Sequence, residues 1–190
     1  MRWLYKLLQF CFPNLEFYKS NSEKWHLTID DSPSPHTLWI LDLLDKHRVQ
    51  ATFFCIGKNI ELYPENFNAI IKRGHEVGYH SYHHINVWRK SRQEFKADFE
   101  KCKTLFSSLM YRPPYGKLTW SMYRHLNAKR IKIVLWDVLT EDWKSDIDPM
   151  KKIKSKIKTA SKGSIFVFHD NEKSIENLRV MLPYFLENIP

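Results

Sequence analysis

Glycine is scarce, five in 190 residues, and no Gly-X-Y period occurs, which excludes a collagen-like chain. Cysteine is scarcer still. Cys11, Cys55 and Cys102 lie apart without a Cys-x-x-Cys pair, so neither a disulfide framework nor a cysteine-rich zinc module is expected. No apolar run approaches the roughly 20 residues needed to cross a bilayer. The protein is therefore read as soluble or peripheral, with cytoplasmic and cell-envelope locations both open. Acidic residues are outnumbered, 21 Asp and Glu against 30 Lys and Arg, leaving a formal net charge of +9. No zinc finger, ribonucleoprotein aromatic motif or helix-turn-helix accompanies that excess, so no nucleic-acid partner is expected. Peripheral contact with a membrane or an anionic glycan through the basic surface stays open.

What is present suits one domain. A compact chain of this size hides roughly 70% of its unfolded surface, and 43% hydrophobic with 15% aromatic content can fill that core. Residues 1–24 form a basic and aromatic segment that packs on or precedes residues 25–190. Its first part, Met1 to Pro13, has a basic start and an apolar middle interrupted by Lys6 and Gln9, and it lacks a small-x-small cleavage site. Both a signal peptide and an amphipathic segment lying on the domain or on a membrane surface fit that pattern. From Trp25 onward, short strand-like runs alternate with helical periods, as in a mainly parallel α/β domain. Strands are expected at Trp25 to Asp31, Ala51 to Ile56, Glu76 to His80, Ile131 to Trp136 and Ser164 to Phe168. Helices are expected at Thr37 to His47, Pro64 to Arg73, Thr119 to Lys129, after Asp148-Pro149, and at Ser174 to Glu187, where Pro183 should kink or split the run. Ser91 with Glu94 is a capping-box signature, followed by a stripe of Phe95, Phe99, Cys102, Leu105, Phe106 and Leu109.

Polar residues collect at the C-terminal ends of these strands: Asp30, Asp31, His80, Asp137, His169 and Asp170. That edge is where α/β folds build chemistry. The pair Asp30-Asp31 suits helix capping or, at a strand end, a division in which one carboxylate binds a metal and the other acts as a base. His80 and His84 have a four-residue spacing that can place two imidazoles on one ion. Two His with one carboxylate leave open positions, as a catalytic ion needs. The stiff run Arg112-Pro113-Pro114-Tyr115-Gly116 is a loop able to hold a guanidinium against a carboxylate and aim a backbone N–H at a reacting oxygen. His169 emerges from an apolar strand as a core residue or an acid–base group. The run Lys151 to Lys158 reads as an amphipathic helix with a solvated basic face.

Taken together, Thr28-Ile29-Asp30-Asp31-Ser32-Pro33, His80-Ser81-Tyr82-His83-His84, Arg112-Pro113-Pro114-Tyr115, Asp142-Trp143 and Ile165 to His169 resemble, in order, the five motifs of the polysaccharide deacetylases. These are metal-dependent carbohydrate esterases of family four, and the resemblance runs from about Trp25 to about Asp170. It implies a single-domain α/β fold, a distorted (β/α)7-type barrel. It implies one divalent ion on Asp31, His80 and His84, zinc first, with cobalt, nickel, manganese or iron also suited. Asp30 would be the catalytic base, Arg112 its orienting partner, His169 the general acid and Asp142 the group that tunes it. Tyr115 would offer an oxyanion-binding N–H, Trp143 would line the groove, and Val167 stands where Leu often shapes the acetyl pocket.

The implied reaction removes N-acetyl groups from an amino-sugar glycan, peptidoglycan or a chitin-like oligosaccharide, using metal-activated water. An O-acetyl esterase on an acetylated polysaccharide would use the same centre, and an inactive glycan- or membrane-binding homologue is the other alternative. A monomer is expected. Two departures from the family pattern stand near the ligands: Ile29 replaces a usual aromatic, and Ser32 replaces a usual Gly. If position 32 requires a positive φ, a serine there would strain the loop that carries Asp31.

Overall fold

Strand side chains alternate between two faces, and here both faces are covered. The computed structural model describes residues 2–19 and 22–190. Among these residues eight strands are found: β1 (Leu15–Glu16), β2 (His26–Ser32), β3 (Thr52–Cys55), β4 (Glu76–Tyr79), β5 (Met110–Tyr111), β6 (Lys132–Val134), β7 (Val138–Leu139) and β8 (Ile165–His169). They form one sheet in the order β1-β6-β5-β4-β3-β2-β8-β7, every pairing parallel. The sheet curls into the distorted (β/α)7-type barrel that the motifs implied, with β1 added at one edge.

The helices are α1 (Arg2–Cys11), α2 (Thr37–His47), α3 (Gly57–Leu62), α4 (Pro64–Lys72), α5 (Arg92–Lys103), α6 (Trp120–Ala128), α7 (Pro149–Thr159) and α8 (Ile175–Glu187). Their boundaries follow from local chemistry. Ser91 Oγ accepts from Glu94 N at 3.2 Å while Glu94 Oε2 accepts from Ser91 N at 2.9 Å, so the expected capping box starts α5. Asp148 caps α7 by accepting from Lys151 N at 2.9 Å, ahead of Pro149 in the first turn. Gly74, with φ +81°, ends the α4 unit in the left-handed conformation.

On the outer face, Leu27 and Ile29 of β2 and Phe166 and Phe168 of β8 share a core with Ile40, Leu41 and Leu44 of α2 and with Leu178, Leu182 and Phe185 of α8. A second cluster joins Tyr79, Tyr111 and Ile133 to Phe95, Phe99 and Leu126 of α5 and α6. Inside the barrel, Phe54, Val134 and Ile165 pack together with Met110 and Trp136.

Several expectations change on folding. Pro183 does not split the last helix; α8 runs through it, because Leu178, Met181, Leu182, Phe185 and Leu186 on both sides are buried in one core. The apolar stripe expected of α5 outruns the helix, which ends at Lys103: Leu105 and Phe106 lie beyond it but still pack on the core, and Leu109 is exposed. The strand expected over Ile131 to Trp136 keeps only Lys132–Val134, and Trp136 turns into a cavity at the barrel mouth. The short β1, β7 and α3 carried no periodic signal, since two to six residues are too few to show one. In the N-terminal segment Tyr5 of α1 stacks on Phe17, with ring centroids 4.6 Å apart. No helix among the described residues is long and apolar enough to cross a membrane.

Gly78 shows how tightly the interior is built. It pairs in register with Phe54, and a Cβ added there would stand 2.5 Å from the Phe54 ring. That ring cannot swing away freely, because the Arg112 guanidinium lies 4.1 Å above its centroid. Gly78→Ala is therefore expected to destabilise the protein by about 1–3 kcal/mol, the usual cost of overpacking. An unchanged urea midpoint would show that the interior relaxes.

Candidate active site

The site grows from one buried charge. Arg112 follows β5 and is fully buried in the barrel, where its Nη1 donates to Asp30 Oδ1 and to Thr28 Oγ1, each at 2.7 Å. Its Nε and Nη2 donate to the carbonyls of Val134 and Leu135 at 3.0 Å, so each nitrogen of the fork has an acceptor. Burial opposes ionisation of Asp30, but Arg112, with His80 and His169 nearby, holds its carboxyl below the usual carboxylate range. Asp30 is thus a buried carboxylate kept charged by its neighbours.

Next to it, Asp31, His80 and His84 converge, each offering one ligand atom, all within 4.8 Å of one another. Asp31 Oδ1 lies 3.6 Å from His80 Nε2 and 3.4 Å from His84 Nε2. His80 Nδ1 is 2.8 Å from the Arg112 carbonyl, which can only accept, so that nitrogen donates and Nε2 is the atom turned toward Asp31. Burial, then the adjacent His80, lowers His84 to about 4, so its ring is neutral at neutral pH. Asp31 Oδ1 is buried without a hydrogen-bond partner among the described residues. An orphaned buried carboxylate oxygen facing two imidazole nitrogens is the donor set that a divalent cation fits.

Across the mouth, Asp142 is fully buried and grips His169 twice, accepting from its backbone N at 2.8 Å and lying 2.7 Å from its Nδ1. Burial disfavours the imidazolium, yet the Asp142 charge and hydrogen bond outweigh it and lift His169 to about 9. Asp30, Asp31, His80, His84 and His169 all line one cavity of about 710 Å³, walled by Tyr115, Trp136, Leu139 and Trp143.

Among the expected site residues, Tyr115 and Trp143 therefore sit in the wall, with the Trp143 ring edge-on to His169 at 4.8 Å. Val167 remains fully buried within β8, and Leu139 and Trp136 line the cavity. Asp137 does not join the mouth; it accepts from Ser164 Oγ and Ile165 N at the start of β8. The positive φ falls on Asp31, at 68°, and not on Ser32. Ser32 is instead fully buried, and its Oγ donates to Asp170 Oδ2 at 2.9 Å. Asp170 also accepts from Ser34 Oγ and from Thr37 Oγ1, which ties the end of β8 to the loop after β2.

Three supporting residues escape sequence reading. Asn171 donates to Asp31 Oδ2 at 2.6 Å, and Asn59 to the Asp31 carbonyl at 2.7 Å. Asp98 of α5 is buried and accepts from Ser81 Oγ, Tyr82 N and His83 N at 2.6, 2.8 and 3.0 Å, which shapes the turn between the two histidines. Asn171, two residues after His169 at a strand end, had a positional signal; Asn59 and Asp98 had none.

The geometry agrees with known proteins. The family model described as Polysaccharide deacetylase matches residues 18–134. The chain belongs to the polysaccharide deacetylase family. It is 34% identical over 131 residues to a peptidoglycan-N-acetylglucosamine deacetylase of Bacillus cereus, covering 65% of this chain and 48% of that protein. To the peptidoglycan-N-acetylmuramic acid deacetylase PdaC of Bacillus subtilis it is 32% identical over 165 residues, 83% of this chain and 34% of that one. The chain thus spans about half or less of the length of these curated relatives. Among solved structures, the Bc1960 peptidoglycan N-acetylglucosamine deacetylase superposes with a TM-score of 0.82 at 27% identity, over 92% of this chain and 86% of that one.

The His169–Asp142 pair yields a direct check in this family member. Because its folded value is raised, His169 keeps its proton up to about 9 and loses it above. Asp142→Asn removes the stabilising charge, so the midpoint should fall by at least about one pH unit, or ~1.4 kcal/mol. Histidine ring shifts followed by NMR against pH measure it; an unmoved midpoint would mean that Asp142 does not set the charge.

Proposed function

We propose that this polysaccharide deacetylase family member hydrolyses N-acetyl groups on an amino-sugar glycan, with peptidoglycan favoured by the relatives' own substrates. One observation carries the reading: an arginine-paired carboxylate, a two-histidine and one-carboxylate cluster, and a histidine kept charged by a buried aspartate share a single cavity. Residues 25–190 contain all these groups, and β1 of the N-terminal segment pairs with β6.

Asp31, His80 and His84 would hold the divalent ion, zinc first by donor chemistry. When bound, such an ion supplies Lewis acidity, polarising a carbonyl and acidifying water. The chain's own residues handle the protons. Asp30, ionised because of Arg112, accepts a proton from water as its oxygen bonds to the acetyl carbon. The Tyr115 backbone N–H, carried on a residue with φ 59° in a proline-stiffened turn, is the donor assigned to the developing oxyanion. His169, charged below about 9, gives its proton to the departing nitrogen as the carbon–nitrogen bond breaks. Acetate and a free amine result. Trp136, Leu139 and Trp143 limit water around the acetyl group.

Activity should rise with pH as Asp30 or the attacking water ionises, and fall as His169 deprotonates near 9. His80→Ala should lose the ion, measured by elemental analysis, together with turnover. Asp30→Asn should abolish acetate release while the ion stays. His169→Ala should lower amide hydrolysis by roughly 10²- to 10⁴-fold, the usual worth of a general acid, and harm activated acetyl esters far less, since their leaving groups need no proton. Equal losses on both substrates would remove His169 from that role.

A further inference from the structure

Beside the cavity lies a second surface whose side chains the hydrolytic step does not use. Tyr115 projects from the cavity wall with 61% of its surface exposed, its ring edge-on to His84 at 4.7 Å. Trp88, in the short helical turn Val87–Arg89, is 66% exposed. Its ring is nevertheless held, since Nε1 donates to the Leu118 carbonyl at 3.3 Å. Between them stands Lys117, whose ammonium is 4.8 Å from the Trp88 centroid and 5.6 Å from that of Tyr115.

Lys90, two residues after Trp88, is neutralised by Glu94 at 2.7 Å. No carboxylate of the described residues pairs with Lys117, which instead rests against two aromatic faces. Ring faces localise a cation without neutralising it. The result is a positioned, uncompensated charge between two exposed flat apolar surfaces, continuous with the cavity through Tyr115. Exposed aromatics lose surface on binding at low entropic cost, which suits them to the apolar faces of pyranose rings. An uncompensated ammonium between them selects a sugar that carries an anion.

We propose that Tyr115, Lys117 and Trp88 form an accessory subsite that holds the sugar next to the reacting residue on the same glycan chain, the rings stacking on its faces and the ammonium pairing with a carboxylate borne by that sugar. The inference rests on the deacetylase reading and narrows it. The favoured substrate alternates an N-acetylated hexosamine with one carrying a lactyl carboxylate, as stem-free peptidoglycan strands do, and chitin-like chains, being neutral, lack the second contact. The net charge of +9 adds long-range attraction of the same sign.

The test compares two glycans of equal length, peptidoglycan strands freed of peptide stems and chitin oligomers, by calorimetric binding and by acetate release. The wild-type protein should bind the carboxylated strand about tenfold more tightly, the worth of one charge-assisted hydrogen bond. Lys117→Gln should bring that ratio close to one, and Lys117→Arg should restore most of it. Trp88→Ala should weaken both glycans, and added salt should erode only the carboxylate preference. Equal binding of the two glycans by the wild type, no binding of either, or a ratio unchanged in Lys117→Gln would each overturn the subsite. Absence of acetate release from both glycans, with the binding preference intact, would overturn the deacetylase reading alone and leave the subsite standing.

Discussion

A guanidinium at the centre of the barrel governs the rest of this molecule. Arg112 is fully buried, and burying such a charge is tolerable only because every arm of its fork has an acceptor. Those acceptors come from β2, from β6 and from the residue after β6, so one side chain links strands on opposite sides of the sheet. Its own carbonyl then aligns His80, and its charge keeps Asp30 ionised. The proposed base and one proposed ligand thus depend on one residue, and the Phe54 ring and Gly78 beneath it supply the floor.

Above this layer the backbone is held in conformations that L-residues seldom adopt. Asp31, Ser81, His84, Tyr115 and Glu141 all have φ between 54° and 69°. Each such position costs on the order of 1–3 kcal/mol and persists only where surrounding contacts enforce it. Here the enforcing contacts are visible: Asn59 on the Asp31 carbonyl, Asp98 on the His80 to His84 turn, and Pro113 and Pro114 ahead of Tyr115. Three of these residues, Asp31, His84 and Tyr115, line the cavity. Arg48, by contrast, has φ 55° at the end of α2, an ordinary helix stop.

The basic character of the chain resolves into distinct uses. On α7 the lysine run does not act as one patch, since Glu141 draws in Lys152 and, at 3.9 Å, Lys156. Lys144 and Lys152 in turn hold the Glu141 carboxyl down at about 2. Lys117 sits between two aromatic rings without a carboxylate partner among the described residues, at the edge of the cavity.

Residue type and spacing by themselves determined the α/β alternation, the caps at Ser91 and Asp148, and the five ordered motifs. These are local quantities: hydrophobic period, cap chemistry and short runs are written in neighbouring residues. For the same reason the Asp30 and Asp31 pair, the two histidines, Arg112, Asp142 and His169 were legible as a set. Which of them meet was decided only by the tertiary structure, because the pairing of β2 with both β3 and β8 brings residues over a hundred positions apart to one edge. Asp98 and Asn59, whose contacts exist only after α5 and α3 dock, left no trace in the sequence. The displacement of Asp137 to the start of β8 and the full burial of Val167 within that strand were likewise invisible. So was the true place of the backbone strain, at Asp31 rather than Ser32, since φ is set by how the chain must turn between the barrel and its ligands.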